Sequence, residues 1–452
     1  MPLVGREREL ARLLALWQRA KDGAGQVVLL AGEPGIGKSR LVRALVDRLQ
    51  SETHANIHCR CSPLHMSSPF HPVIEQMERA AGFAHDDPAD RRLDKLENLL
   101  ATASTDVSAV APLIAALLSL PADRRYRAVR LAPQTQRERT LAALLGQLEG
   151  LAGTQPILVV FEDAHWSDPT SLELLDLTAE RLRSLPVLMI VSARPNFRPP
   201  WAGADHATTL TLDRLDAAEA RAVVEQLTAA SPLSVEAIDE VVAKADGVPL
   251  FLEELTKAVL EAGLFEHGGA RPWGLTIPAS LQDSLVARLD RLAPVREVAQ
   301  TAACLGREFD HALLAAVSPL PAAKLAEALD LLVGAELLFR FGGASEARYS
   351  FKHALVRDVA YATLLNSRRQ QLHARIVAAL ETRFPERASA QPQILAQHCA
   401  EAGLTAQAID YWHRAGLAAA RRSALTEATT QLRLGLALIP TLPGASNRSP
   451  VR

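Results

Sequence analysis

The chain has 452 residues, which at about 150 residues per domain amounts to roughly three domains, more than one small binding module needs. Its 49 basic and 51 acidic residues leave a net charge of −2, so no excess of positive charge marks nucleic acid or an anionic membrane as the main partner. With 48% hydrophobic but only 4% aromatic residues the core rests on Leu, Ala and Val. Four cysteines, Cys59, Cys61, Cys304 and Cys399, are too few and too scattered for a disulfide framework.

The N-terminus, MPLVGRERELARL, has no apolar stretch and no small-residue cleavage site, so export is not expected and a reducing, cytoplasmic location is. Leu10, Leu13, Leu14 and Trp17 sit at helical spacing between Glu7 and Lys21, and Asp22-Gly23-Ala24-Gly25 ends that helix. QVVLLAG (Gln26–Gly32) is a short, continuous apolar run, the pattern of a strand buried on both faces of a parallel sheet. A helix starts near Lys38, with Leu41, Leu45 and Leu49 four residues apart. Similar apolar runs at 55–61, 157–161, 187–192 and 208–212 alternate with helical stretches and predict an α/β domain with a mostly parallel sheet of about five strands.

Between Ser67 and Gly153 only Leu/Ala-rich helical periodicity appears, read as a helical insertion. Its most apolar stretch, Val107–Leu120, is too short to cross a bilayer, contains Pro112, and is expected to be a pair of core helices. After Leu212 helices are expected over 216–227, 234–244 and 249–262, with a boundary loop at His267–Pro272. A further unit opens at Ile277-Pro278, with helices at 280–289, 295–305, 311–317 and 322–333. Two strand candidates follow, 336–341 and 347–351, which is the element order of a winged helix. From Arg368 the pattern is helical, with small residues at Ala396, Ala400, Ala408, Ala415, Gly416 and Ala428, like the first one or two units of a repeat array.

Gly32-Glu33-Pro34-Gly35-Ile36-Gly37-Lys38-Ser39 matches GxxxxGK[ST] where the mechanism needs it, after a buried strand and at a helix start. Successive backbone N–H groups and the helix dipole there favour phosphate oxygens. Lys38 is expected to reach the β- and γ-phosphates and Ser39 to offer its hydroxyl to Mg²⁺. Only seven of the 49 basic residues are lysine, so abundance does not explain Lys38. The apolar strand ending in Glu162-Asp163 supplies the acids such a site needs, with Glu162 expected to hold the metal and Asp163 to orient or deprotonate the attacking water. Arg194, after the strand VLMIVSA, is expected either at the γ-phosphate or in a salt bridge to Asp205 or Asp213.

VGRERE, GEPGIGKSRLV, FEDAHWSDPTSLELLD, SARP, GVPLFLEELTKAVLE, IPASLQDSLVARLDRLAP and FKHALVRDVAY together resemble the signal-transduction ATPases with numerous domains, the STAND class of the AAA+ superfamily. The likeness is strongest to the ATPase and tetratricopeptide-repeat (TPR) portion of bacterial proteins that also carry an adenylate/guanylate cyclase domain. It implies a slow, ATP- and Mg²⁺-dependent conformational switch. It further implies that Val4, Gly5 and Arg6 lie near the adenine, that Arg40 adjoins the phosphate loop, that Pro249 closes over the base, and that His353 senses the diphosphate. The expected division is an ATPase core at 1–214 with its insertion at about 67–153, a helical lid at 215–275, a winged-helix-like unit at 276–362 and a truncated TPR-like region at 363–452. A protein partner is expected on the C-terminal helices, with a nucleotide-dependent oligomer and a cyclase domain on another chain as further partners. From the positions of Met1 and Arg452, neither a cyclase domain in front nor an effector domain behind is expected within this chain.

Two other features suggest different chemistry. His54, His58, Cys59, Cys61 and His65 lie close enough in sequence for a zinc reading, but on a strand Cys59 and Cys61 share one face and His58 the other, so a buried strand is the expectation. The run Arg124, Arg125, Arg127 and Arg130 reads as a solvated face ahead of an anion contact. The alternatives to a switch are a DNA-binding regulator using the winged helix and a nucleotide-binding scaffold without turnover. Near-zero net charge and the tail TLPGASNRSPVR speak against the former.

Overall fold

The computed structural model describes residues 3–84, 87–104, 106–122, 125–126, 131–264, 281–342, 347–422 and 424–442. In chain order α1 (Glu7–Lys21) leads to β1 (Gln26–Gly32), α2 (Lys38–Leu49) and β2 (Ala55–Arg60). Four helices follow without a strand: α3 (His71–Ala81), α4 (Ala89–Ala101), α5 (Val107–Leu117) and α6 (Pro133–Ala152). Next come β3 (Ile157–Glu162), α7 (Pro169–Arg181), β4 (Val187–Ala193) and β5 (Ala207–Leu212). Helices α8 (Ala217–Leu227), α9 (Val235–Ala245), α10 (Pro249–Leu264), α11 (Leu281–Arg291) and α12 (Ala293–Leu305) precede β6 (Glu308–Asp310). Then α13 (His311–Val317) and α14 (Ala322–Gly334) lead into β7 (Leu338–Phe341) and β8 (Arg348–Phe351). The chain continues as α15 (Ala354–Ala362), α16 (Asn366–Arg383), α17 (Pro385–Ala390), α18 (Pro392–Glu401), α19 (Thr405–Arg421) and α20 (Leu425–Leu438). No helix among the described residues is long and apolar enough to cross a membrane.

Two compact units emerge, each assembled from separate stretches of chain. One comprises Met1–Leu10, Gly32–Leu41 and Thr211–Ala379; the other comprises Ala11–Ala31, Val42–Leu210 and Leu380–Arg452. The second holds most of a five-stranded parallel sheet in the order β2-β3-β4-β1-β5. β1 pairs with β4, β4 with β3 and β3 with β2, all parallel. Every residue of β1, β3 and β4 is buried, the signature of strands covered on both faces and the reason they read as continuous apolar runs. Parallel strands place their C-terminal ends on one edge, so the residues following β3 and β4 leave the sheet from the same side.

The insertion forms its own small core. Leu93, Leu96 and Leu100 of α4 meet Ala111 and Ile114 of α5 and Leu141 and Leu145 of α6. Here the structure corrects the sequence reading, because Val107–Leu117 is one helix, not two, with Pro112 inside it. Proline deletes a single backbone bond to the preceding turn, and burial of Ala111, Leu113, Ile114, Ala115 and Leu117 holds the helix through the defect.

The last helices belong to the same unit as the sheet. Gly416 explains how closely they pack, since a Cβ there would lie 2.6 Å from Leu432 Cγ. Their attachment to the rest of the unit is polar. The buried Glu427 of α20 accepts hydrogen bonds from Thr170 N (2.9 Å) and Thr170 Oγ1 (2.6 Å) at the start of α7. Gln431 donates to Ser67 O (2.5 Å), Gln393 to Ser68 Oγ (3.0 Å), Gln397 to Leu64 O (3.2 Å) and Arg422 to Ser119 Oγ (2.6 Å). A carboxylate suits the α7 N-terminus, whose first N–H groups have no partner within the helix.

In the other unit α8, α9 and α10 pack through Val224, Ile238, Val241, Leu252 and Leu255. Beyond them a larger cluster unites α11, α12 and α14 with a three-stranded antiparallel sheet in the order β6-β8-β7. β6, only three residues long, was not legible in the sequence. The expected loop at His267–Pro272 and the start at Ile277-Pro278 lie outside the described residues.

Candidate nucleotide site

The phosphate loop leaves β1 and ends in α2. Gly35 and Gly37 have φ of +79° and +103°, values that L side chains resist. A Cβ on Gly35 would also come within 3.0 Å of Leu250 Cβ. The glycines of the motif are thus required by backbone shape before any ligand is considered. Lys38 is buried, and its ammonium donates to Gly32 O (2.9 Å) and Glu33 O (3.0 Å). The loop's own carbonyl oxygens therefore hold this charge over the loop.

The same unit brings several sequence-predicted residues to one cleft. Val4, Arg6, Ile36, Gly37, Arg40 and Pro249 line it, with Leu215 and Glu253 among their neighbours. Arg6 is pinned there by Glu9 (3.1 Å) and by donation to the backbone oxygen of Asp213. Leu250 N donates to Gly35 O at 3.2 Å, so the first turn of α10, which begins at Pro249, touches the phosphate loop directly. Arg214 bridges Glu33 (3.2 Å) and Asp246, tying the loop to the turn between α9 and α10.

His353 does not line that cleft. It caps the start of α15 beside Glu253 and Glu254, and its Nε2 is buried with no hydrogen-bond partner. Burial pushes its pKa down to about 4, with Glu253 pulling the other way, so the ring is neutral at pH 7. Around it runs a network that sequence reading missed. Lys352 joins Glu253 (2.7 Å) and Glu336 (2.7 Å), and Lys257 joins the same two carboxylates. Burial raises the Glu253 pKa, but hydrogen bonds and charge from Lys257 and Lys352 outweigh it and hold it down at about 2. Lys257 and Glu336 lie 79 positions apart and Glu253 and Lys352 lie 99 apart, and only the spacing of Glu253 and Lys257 within α10 could have hinted at the network.

In the sheet unit, β3 carries Glu162 to its C-terminal end as predicted, with Asp163 next in the chain. Glu162 is 6% exposed. Its Oε2 lies 3.3 Å from Arg60 Nε and 3.3 Å from His58 Nε2, both on β2. The register that pairs Arg60 with Glu162 fixes these neighbours, and alternation along the strand could have suggested them. Asp163 adopts a left-handed conformation (φ 55°) and donates its N–H to Ser192 Oγ at the end of β4 (3.0 Å). Such a backbone is uncommon outside glycine, and here it turns the chain sharply off the strand.

Arg194 follows β4 and is exposed. Its guanidinium stacks over Trp166 at 5.0 Å, a cation–π contact. Neither expected aspartate bridge is seen; Trp166 serves as its platform. Cys59 of β2 and Cys61, just after the strand, are both buried, and burial pushes the Cys59 thiol up to about 12 and Cys61 higher still. Both are core thiols, free of any disulfide. In the arginine run, Arg125 pairs with Asp94 (2.6 Å) and Glu97 (2.9 Å) on α4, while Arg124, Arg127 and Arg130 lie outside the described residues.

A parallel five-stranded sheet whose β1 runs through a GxxxxGK[ST] loop into α2 is a P-loop NTPase fold. Residues 2–191 match the family described as AAA ATPase domain. An uncharacterized protein of Rhizobium meliloti (strain 1021) is 30% identical over 441 residues, covering 94% of this chain and 42% of the relative. The chain thus spans about two fifths of that curated relative. Among solved structures, a STAND protein with a tetratricopeptide repeat sensor from Pyrococcus horikoshii covers 98% of this chain and 59% of its own, with 12% identity and a TM-score of 0.49. A Walker-type ATPase of Pyrococcus abyssi covers 79% of this chain and 96% of its own, with 17% identity and a TM-score of 0.37.

Proposed function

We propose that this chain is a signalling ATPase whose slow turnover of Mg²⁺-ATP switches the protein between conformations. The observation that carries the reading is the cleft in which the phosphate loop meets the first turn of α10, lined by Val4, Arg6, Ile36, Gly37, Arg40 and Pro249. A base held between Pro249 and the Val4–Arg6 segment would lie beside a loop shaped for phosphates. Backbone N–H groups of Gly35 to Ser39 would receive the phosphate oxygens, and Lys38 would leave the carbonyl oxygens of Gly32 and Glu33 for the β- and γ-phosphates.

Ser39 and Glu162 have the oxygen donors Mg²⁺ prefers, and the metal would neutralise charge on the phosphates. Asp163 is assigned to the attacking water. Its N–H bond to Ser192 and its left-handed backbone fix where its carboxylate starts. Arg194, exposed and resting on Trp166, keeps its guanidinium edge available for a γ-phosphate. Residues 215–275 serve as the lid and 276–362 as a winged-helix-like unit. His353 reports on the nucleotide through the Glu253–Lys352 network. The region 363–452, TPR-like in its small-residue packing, receives a protein partner in the cytoplasm, where a nucleotide-dependent oligomer forms.

The test is to measure mass and hydrodynamic radius of the chain with ATP and with ADP, alongside phosphate release. Slow phosphate release and a radius or mass that differs between the two nucleotides support a switch. Identical values with both would remove it.

A further inference from the structure

A second cavity lies wholly within the sheet unit, between the insertion and the C-terminal helices. It has about 90 Å³ of room. At about 10–15 Å³ for each water-sized group, that admits roughly six to nine non-hydrogen atoms. Two charged residues line it, Arg422 at the end of α19 and the exposed Glu78.

The arginine is the unusual member. Among the described residues its one side-chain hydrogen bond is to Ser119 Oγ, and no carboxylate pairs with it. Burial alone displaces its pKa, downward, with no charged neighbour offsetting the cost. A guanidinium taken partly out of water without a counter-ion is costly, and its planar fork matches a carboxylate. The wall beside it is polar and incompletely satisfied. Gln431 is 1% exposed and gives its amide N–H to Ser67 O, while its Oε1 has no partner. His71 also lines the cavity, stacked on His65 at 3.4 Å, and burial pushes its pKa down to about 4, so it adds no positive charge at pH 7. Apolar Ile74, Leu117 and Ala419 complete the wall.

From this arrangement we infer a binding site for a small carboxylic acid of roughly six to nine non-hydrogen atoms bearing an ammonium or hydroxyl donor, such as an amino or hydroxy acid. The acid's carboxylate would take the Arg422 fork. Its donor would serve Gln431 Oε1. Such a ligand would touch the insertion and α18–α20 together, and so would bias how firmly the C-terminal helices are held.

The inference does not depend on nucleotide binding, and it is tested without nucleotide. The full chain is titrated calorimetrically with L-serine, L-aspartate, L-lactate, acetate and inorganic phosphate. At least one of the first three should bind more tightly than acetate, which has no donor. Arg422→Gln should weaken that binding by about tenfold or more, the loss expected for a charge-assisted bidentate contact worth at least about 1.4 kcal/mol. Arg422→Lys keeps the charge without the fork and should fall between, which separates a lost ligand contact from a misfolded variant. No binding by any of the three acids, equal binding in Arg422→Gln, or Arg422-dependent binding of phosphate alone would each overturn the inference.

Discussion

The phosphate loop and the seam that fastens the C-terminal helices are both made of polar groups withdrawn from water, yet they differ in how far apart their parts lie in the chain. In the loop, eight consecutive residues supply the shape and the charge: Gly35 and Gly37 take positive φ, and Lys38 bonds to carbonyls five and six positions back. In the seam, Glu427 meets Thr170 across 257 positions and Gln431 meets Ser67 across 364. A local device must be complete within a short stretch and so leaves a motif. A long-range one needs only a Glu or Gln on the correct helix face, which looks like any solvated position until the partner is known.

The largest effect should fall on the local device. Lys38→Ala should reduce ATP affinity by about a thousandfold, a loss of about 4 kcal/mol, read by calorimetric titration, with the thermal unfolding of the free chain little changed. An affinity within a few-fold of the parent would show that the loop does not hold the phosphates.

The seam answers in stability. Glu427→Ala strands both the N–H and the hydroxyl of Thr170 in a buried setting and should cost about 3 kcal/mol in urea unfolding. Glu427→Gln keeps an acceptor oxygen and should cost less. Equal costs for the two would mean that packing, not hydrogen bonding, secures α20.

Next in size is a pH effect at the same place. Asp168 caps α7, accepting from Ser171 N (2.9 Å) and Phe70 N (3.0 Å). Burial, opposed by these bonds, raises its pKa to about 6. An acid whose folded pKa lies above its unfolded value binds more protons when folded. Stability should therefore fall as pH rises from about 4 to 6, by up to about 3 kcal/mol, and then level. Asp168→Asn retains a capping oxygen and should flatten that part of the melting-temperature profile. A profile with the same slope in both proteins would assign it elsewhere.

The smallest effect concerns the lysine–glutamate network. Glu253 is held at about 2 in the folded chain, so its contribution is complete above about pH 4.5 and is lost as pH falls toward 2. Glu253→Gln keeps an acceptor oxygen and leaves Lys257 and Lys352 paired with Glu336, so it should cost about 1 kcal/mol at pH 7 and remove part of the acid sensitivity in a melting series.

The sheet and most helices were legible because their periodicity is strong. β1, β3 and β4 are apolar throughout, and α2 begins at Lys38 as its leucine spacing indicates. Prediction failed where a tertiary contact overrode a local signal. Pro112 reads as a break, but the buried face of α5 carries the helix past it. β6 is three residues long and exists through its pairing with β8. At the sheet's edge the acids were visible, but the neighbours of Glu162 were not, since His58 and Arg60 reach it through strand register. Arg194 was legible as a charge at a strand end. Its aromatic platform came from Trp166, a residue with no role assigned in advance.

The most direct test is single-turnover hydrolysis of ATP by the chain in excess, comparing the parent with Asp163→Asn. The parent should convert bound ATP to ADP and phosphate in the presence of Mg²⁺, and Asp163→Asn should bind ATP with similar affinity but convert it at least about tenfold more slowly. Bound ATP that stays intact in the parent, or equal rates in the two proteins, would contradict this expectation.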